Sequence, residues 1–236
     1  METLDTLNSD GGDDLINAGS GDNLIAGGVG SDTIYAGLGT DYALGDVGQF
    51  IWTAEGVLTS ALTFDYDESR AGDSDILMLS VIPSSEQDNK GLGEHVVTAG
   101  LDSYFTDTNR SGDNNVALGG TGSDSITTGS GIDWVAGDFA SIIWRTDGSI
   151  DSLVSRDVAT RTAAGEVVGG DDMIDVGHGN NVVIGGAGAD SILSGEGNDV
   201  LAGDHVRLKF TAAGVATLME TLDTLNSDGG DDLINA

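Results

Sequence analysis

A nine-residue period rich in glycine constrains the fold of this chain more than any other feature. The period is clearest in AGSGDNLIA, GGVGSDTIY and AGLGTDYAL, in GGTGSDSIT and TGSGIDWVA, and in VGHGNNVVI, GGAGADSIL and SGEGNDVLA. Glycine holds the second and fourth positions, Asp or Asn the sixth, and an aliphatic residue usually the eighth. Such glycines permit tight turns, and the eighth residue would point inward from a short strand. The period therefore predicts stacked turn-and-strand units around a thin core.

The sixth and fourth positions of the period are candidate cation ligands. Carboxylate and carbonyl oxygens form the hard shell that Ca²⁺ prefers, and Asn keeps an oxygen but loses the charge, so its sites should bind more weakly. The sixth-position residues are Asp14, Asn23, Asp32, Asp41, Asn115, Asp124, Asp133, Asp172, Asn181, Asp190 and Asp199. The glycines of the accompanying turns are Gly12, Gly21, Gly30, Gly39, Gly122, Gly131, Gly170, Gly179, Gly188 and Gly197.

The charge of the chain excludes several partners. Forty acidic residues face eight basic ones, which gives a formal net charge of −32. This repulsion opposes a compact state unless a cation binds, and a surface so acidic is unsuited to nucleic acid or anionic lipid. No apolar stretch approaches the roughly 20 residues of a membrane span, so no membrane insertion is expected. The chain has no cysteine, which excludes disulfides and thiolate metal sites.

A second element follows each run of nonapeptides. The segments that begin at Gly45, Gly137 and Gly203 align without gaps, and each predicts a β-hairpin. Their aromatic residues Trp52, Trp144 and Phe210 are expected to act as lids that close one block and support the next. The leading aspartates, which could complete a calcium site or cap a turn, are Asp46, Asp138 and Asp204.

An exact duplication sets a longer period. Residues 1–18 recur unchanged as residues 219–236, so the chain contains one period of 218 residues and the start of another. We expect blocks at 1–64, 65–160 and 161–218, with 219–236 opening the next copy. The segment Ser60 to Arg110 is either an insertion with strands of its own or an eroded run, in which Asp102 is a weak further ligand candidate.

The nonapeptides resemble the RTX (repeat-in-toxin) calcium-binding repeat, GGxGxDxUx. That resemblance implies an all-β fold of parallel β-roll blocks, here each closed by a hairpin cap and stacked as an elongated solenoid. It also implies Ca²⁺ between turns two repeats apart, roughly six to nine ions in this chain. Export by type I secretion machinery and folding outside the bacterial cell are further implications of the resemblance.

Enzymatic functions lack their motifs in this sequence. Neither the HExxH helix of zinc proteases nor the GxSxG nucleophile elbow occurs, and His95, His178 and His205 are scattered. Ice binding would need a regular polar array at the third position, where Val29, Leu38 and others stand instead. The exact duplication favours the extender of a giant, secreted surface adhesin, with neighbouring copies as partners. The alternative is the calcium-binding repeat region of a secreted RTX toxin or exoenzyme.

Overall fold

Short β-strands separated by turns make up the described part of the chain. The computed structural model describes residues 12–63, 76–79, 114–120, 122–156, 169–222 and 229–236, and these contain strands but no helix. The strands are β1 (Leu15–Gly19), β2 (Leu24–Ala26), β3 (Thr33–Ala36), β4 (Tyr42–Leu44), β5 (Gly48–Trp52), β6 (Leu58–Thr63), β7 (Ile76–Leu79), β8 (Val116–Gly120), β9 (Ser125–Thr127), β10 (Trp134–Asp138), β11 (Ala140–Trp144), β12 (Ile150–Ser155), β13 (Met173–Asp175), β14 (Val182–Ile184), β15 (Ser191–Leu193), β16 (Val200–Ala202), β17 (Val206–Phe210), β18 (Ala216–Thr221) and β19 (Leu233–Asn235).

Two parallel sheets contain the nonapeptide strands. The front sheet has the order β1-β3-β7-β9-β13-β15-β19, and the back sheet has the order β16-β14-β10-β8-β4-β2. Nonapeptides that follow one another in the chain contribute in turn to one sheet and then to the other, because a glycine-rich turn reverses the chain after each strand. The registers place eighth-position residues opposite one another, as in Ile174 with Ile192 and Val135 with Val183.

The eighth-position residues fill the space between these two sheets. Ile34, Ile126 and Ile174 are fully buried there and belong to the same cluster as Val135 and Val183. The prediction of a thin inner core is therefore confirmed. One aliphatic residue per nonapeptide buries little apolar surface for a repeat of this length, so this core by itself stabilises the fold weakly.

The three hairpins form a third, antiparallel sheet, the hairpin sheet. Its order is β18-β17-β12-β11-β6-β5. The hairpins pair with one another in one register, in which Ile142 lies opposite Ala61 and Leu208 lies opposite Leu153. These six strands therefore form one continuous sheet rather than three separate caps.

A second core lies between the hairpin sheet and the back sheet. Phe50, Ile142 and Leu208 are buried there from the hairpin side, and Leu44 and Leu118 are buried from the back sheet. Aromatic rings join the two layers: the ring centroids of Tyr42 and Trp144 lie 6.2 Å apart, and those of Trp134 and Phe210 lie 4.7 Å apart in an edge-to-face arrangement. The hairpins thus bury most of one face of the back sheet.

The prediction that hairpins act as lids between blocks is wrong. Strand β4 pairs directly with β8, and β10 pairs directly with β14, so the back sheet runs past the hairpins without interruption. The hairpins lie beside this sheet. The physical reason is strand spacing. A two-stranded hairpin is as wide as two neighbouring strands of the back sheet, about 10 Å, so one hairpin can pack on every two strands along the whole sheet.

The segment between the first two runs joins the front sheet. Strand β7 pairs with β3 and β9, and Leu77 stands in register with Ile34 and Ile126. Residues 76–79 therefore act as an eroded nonapeptide strand rather than as a separate insertion. Asp102 lies outside the described residues. The boundary predicted after residue 218 falls within β18, and the division into blocks stays a prediction.

Candidate metal centre

The sixth-position side chains form two separate columns, one along each edge of the paired sheets. We call the first the carboxylate flank, because every described member is an aspartate. Its members precede front-sheet strands: Asp14, Asp32, Asp124, Asp172, Asp190 and Asp232. The second is the asparagine flank, in which Asn and Asp alternate before back-sheet strands: Asn23, Asp41, Asn115, Asp133, Asn181 and Asp199.

A hydrogen-bond ladder links the members of each column. The backbone N–H of Asp172 donates to Oδ1 of Asp190 at 2.9 Å, and the N–H of Asp190 donates to Oδ1 of Asp232 at the same distance. The five predicted pairs are brought together in this way: Asp14 with Asp32, Asn23 with Asp41, Asn115 with Asp133, Asp172 with Asp190, and Asn181 with Asp199. Four more pairs bridge separate runs: Asp41 with Asn115, Asp124 with Asp172, Asp133 with Asn181, and Asp190 with Asp232.

The second carboxylate oxygen is buried in four members of the carboxylate flank: Asp32, Asp124, Asp172 and Asp190. Asp190 is 1% exposed, and its Oδ2 atom makes no hydrogen bond within the described structure. Burial raises the pKa of Asp190 to about 7, and the neighbouring carboxylates of Asp232, Asp171 and Asp204 add to the rise, while the hydrogen bond from the Asp172 backbone opposes it. Burial and these negative neighbours favour the protonated form of Asp190, and a cation beside it would favour the ionised form.

First-position glycines form a cradle around these buried oxygens. A Cβ atom added to Gly185 would overlap Oδ2 of Asp190 and the carbonyl oxygen of Gly203. Equivalent overlaps join Gly27 with Asp32, Gly119 with Asp124, Gly137 with Asp172, and Gly203 with Asp232. The cradles at Gly27, Gly119, Gly137 and Gly185 thus present a carboxylate and a carbonyl oxygen to one small space that only glycine leaves open. This donor set fits a Ca²⁺ ion.

Two carboxylates of the asparagine flank, those of Asp133 and Asp199, have protein donors on their second oxygen instead. The hydroxyl of Ser194 donates to Oδ2 of Asp199 at 2.6 Å, and that of Thr128 donates to Oδ2 of Asp133 at 2.8 Å. The amide of Asn115 also donates to Oδ1 of Asp133, at 3.1 Å. Ser194 and Thr128 hold the first position, where the other flank has glycine. A hydroxyl therefore occupies the place that a cradle leaves open.

The predicted fourth-position glycines stack directly over one another. A side chain on Gly30 would overlap the backbone of Gly12, and one on Gly39 would overlap the backbone of Gly21. The same holds for Gly170 over Gly122, Gly179 over Gly131, Gly188 over Gly170, and Gly197 over Gly179. Positive φ angles occur at Gly21, Gly30, Gly39, Gly122, Gly179 and Gly188. Close stacking and turn geometry both require glycine here.

The hairpin aspartates contact the turns of the following strands. Asp138 is buried and accepts hydrogen bonds from the backbone N–H groups of Gly170 at 3.3 Å and Ala187 at 2.6 Å. Asp46 lies close to Gly120, and Asp204 lies close to Gly229. These contacts correspond to the turn-capping alternative for Asp138.

Two sets of residues at the turns were missed by the sequence analysis. The first is the first-position glycines, whose signal was available: in every described back-sheet nonapeptide the ninth-position residue is followed by glycine, as at Gly27, Gly119 and Gly185. The second is the fifth position, where side-chain oxygens form an exposed outer ladder. Oδ1 of Asp13 accepts from the N–H of Ser31 at 3.0 Å, and Oδ1 of Asp171 accepts from the N–H of Ala189 at 2.8 Å.

Side-chain clusters of the kind that hold zinc do not occur in the described residues. No three His, Cys, Asp or Glu side chains gather there as a metal-binding group, so the cradles depend on backbone carbonyls. Nδ1 of His178 accepts a backbone hydrogen bond from Glu196 at 2.9 Å, His205 is buried, and His95 lies outside the described residues. No helix in the described segments has the length and apolarity needed to cross a membrane.

Comparison with known families identifies the repeat. Residues 8–43, 111–139 and 168–201 match the family described as RTX calcium-binding nonapeptide repeat (4 copies). Comparisons with curated proteins and with solved structures gave no match. The matched segments contain the sixth-position residues of both flanks except Asp232, and the all-β architecture without helices in the described residues is consistent with such repeats. The chain therefore carries RTX calcium-binding nonapeptide repeats in these three segments.

Proposed function

We propose that this chain is a calcium-dependent extender module of a large, secreted, repetitive adhesin of the bacterial surface. The observation that carries the proposal is the position of Asp232, which belongs to the second copy of the duplicated segment. Asp232 accepts the backbone hydrogen bond of Asp190 at 2.9 Å and thereby continues the carboxylate flank into the next period. A repeat whose ligand column continues into its successor is suited to building length.

Calcium binds mainly on the carboxylate flank in this proposal. Four described pairs there combine two carboxylates: Asp14 with Asp32, Asp124 with Asp172, Asp172 with Asp190, and Asp190 with Asp232. The five pairs of the asparagine flank combine one carboxylate with one amide and bind Ca²⁺ more weakly. A calorimetric titration should then resolve a tight class of about four ions and a weak class of up to about five.

The two parallel sheets are the two faces of one β-roll in this proposal, with the hairpin sheet covering its back. Calcium neutralises part of the net charge of −32 and fixes the turns that a thin inner core cannot hold by itself. The protein is then exported unfolded through type I secretion and folds on reaching extracellular calcium. The module has a structural rather than an enzymatic role.

Exact repetition favours the extender over the repeat region of a toxin or exoenzyme. An unchanged stretch of 18 residues, one period apart, is expected in an array whose copies are kept alike. Identical copies add length without changing the surface. A finite folding module beside a catalytic or pore-forming domain gains nothing from such identity.

Small-angle scattering of chains with one, two and three periods tests the extender. In calcium, the maximum dimension should rise by an equal increment for each added period while the cross-section stays constant. In excess chelator the same chains should expand and lose this regular increment. A calcium-loaded particle that grows in width, or copies that behave as beads on flexible linkers, would contradict the proposal.

A further inference from the structure

The outer edge of the hairpin sheet exposes apolar residues whose equivalents elsewhere are buried. Ala61 and Leu153 hold the same hairpin position as Met219 and are 0% exposed, whereas Met219 is 52% exposed. At the opposite edge, Trp52 is 37% exposed, although its equivalent Trp144 is only 9% exposed. Each edge of the sheet therefore has the surface of an interior position without its covering neighbour.

Hairpin aromatics follow a regular packing rule that identifies the missing contact. Trp144 packs on Tyr42, the seventh-position residue before the preceding hairpin, and Phe210 packs on Trp134 in the same relation. The next residue in this series is Val200. Val200 lines an open groove of about 430 Å³ together with Leu201, Ala216, Leu218 and Met219. No described aromatic residue lines this groove.

The strand register of the hairpin sheet independently places an aromatic residue of a following copy at this groove. Ile142 lies opposite Ala61 and Ile143 lies opposite Ser60, and the third hairpin repeats this register on the second. Continued by one hairpin, the rule places Phe50 of a following copy opposite Met219 and Ile51 of that copy opposite Leu218. Trp52 of the following copy would then reach the Val200 groove.

The three sheets gain equal numbers of strands, so a following copy can continue all three of them together. In the described residues, one 218-residue period supplies six strands to the hairpin sheet, six to the back sheet and six to the front sheet before β19 begins the next set. Strand β19 repeats the sequence of β1 and already lies on β15, with Ile234 opposite Ile192. Three sheets with equal strand counts advance by the same distance, about 29 Å per period.

We infer that consecutive copies dock through all three sheets, with β18 of one copy pairing antiparallel with β5 of the next and Trp52 of the next copy filling the groove at Val200. The partner is a second copy of this chain. The inference rests on the proposed function for the existence of an array. It adds a rigid junction between copies, which is fixed by the register of the hairpin sheet as well as by the stacking of the front sheet.

Cysteine cross-linking in a two-period chain tests the junction directly, because the natural sequence has no cysteine. The test variant carries Leu218→Cys in the first copy and Ile51→Cys in the second, which the inferred register places side by side. The matched control keeps Leu218→Cys and places Ile143→Cys in the second copy, at the same hairpin position as Ile51 but three strands, or about 14 Å, from Leu218. A third variant, Ser60→Cys with Ile143→Cys in one copy, reports the observed pairing of β6 with β11.

In calcium, we expect an intramolecular disulfide in the test variant and in the one-copy variant, and none in the matched control, because a disulfide needs Cα atoms within about 7 Å. The inference is overturned if the one-copy variant links but the test variant does not, and in that case the calcium-dependent module itself stands. Equal linking of the test variant and the matched control would also overturn it, since the junction would then have no fixed register. Failure of all three variants would overturn it together with the hairpin sheet.

Discussion

At the scale of single residues, the side chain at the first position of a nonapeptide determines whether Oδ2 of the aspartate five residues later is left open or accepts a hydrogen bond. Gly185 leaves the Oδ2 atom of Asp190 in an open cradle with the carbonyl oxygen of Gly203. Ser194, at the equivalent position on the other flank, donates its hydroxyl to Oδ2 of Asp199 at 2.6 Å. In the proposed function, the same residue type therefore serves as a cation ligand on one flank and as a hydrogen-bond acceptor on the other.

Replacing aspartate by asparagine on the two flanks should separate these roles. Asp190→Asn keeps the Oδ1 acceptor for the N–H of Asp172 but removes a ligand charge, so we expect the affinity of the tight calcium class to fall by about tenfold or more. Asp199→Asn is the matched control and should leave the tight class unchanged. Calorimetric titration of both variants measures the difference, and equal losses would refute the assignment of the two flanks.

Filling one cradle should have a similar effect without removing any charge. Gly185→Ala places a methyl group against Oδ2 of Asp190, so we expect weaker tight binding and a loss of about 1–3 kcal/mol of stability in calcium. Ser194→Ala is the control at the same position of the asparagine flank and should cost about 1 kcal/mol without affecting the tight class. Urea unfolding and calcium titration together give both quantities. A Gly185→Ala protein with unchanged calcium affinity would show that the cradle holds no ion.

At the scale of elements, the hairpins supply the larger apolar core. The eighth-position residues form a column one side chain wide, whereas the space between the hairpin sheet and the back sheet contains Phe50, Trp144 and Phe210. A hairpin strand and a back-sheet strand have the same spacing, so each hairpin covers two strands of the back sheet. The hairpins therefore stabilise the two parallel sheets from one side.

Truncating equivalent aromatics in two hairpins should give unequal costs. Trp144 packs on Tyr42 and is 9% exposed, so Trp144→Ala should cost about 3–5 kcal/mol. Trp52 holds the same position in the first hairpin but is 37% exposed, and Trp52→Ala should cost about 1–2 kcal/mol in this chain. Urea unfolding in calcium gives both values. Equal costs would contradict the lateral packing of the hairpins.

Sequence alone could predict the inner core and the ligand columns because the nonapeptide fixes the residue types at those positions. It could not place the hairpins, since their partners stand at the variable seventh and ninth positions. The signal is present in hindsight: back-sheet strands have apolar residues there, as in Tyr42 and Leu44, while the front-sheet strand β9 has Ser125 and Thr127. Strand β7 was ambiguous because its alternating residues stand outside any clean nonapeptide.

At the scale of the whole molecule, electrostatic repulsion opposes folding, and calcium binding offsets it in this account. A formal net charge of −32 drives the chain apart, and a carboxylate flank with buried, closely spaced aspartates concentrates part of that charge inside the fold. The raised pKa of Asp190 shows the cost of ionising such a group without a cation. Calcium binding and folding are therefore one coupled equilibrium in this account.

Circular dichroism of the 236-residue chain in excess chelator and in millimolar calcium tests this coupling most directly. The account predicts a largely unfolded spectrum in chelator, a β-rich spectrum on addition of calcium, and a return to the first spectrum when chelator is restored. Magnesium at the same concentration is the control and should restore little structure, because it retains its water and demands a stricter geometry. A β-rich spectrum with a cooperative thermal transition in excess chelator would contradict the central claim.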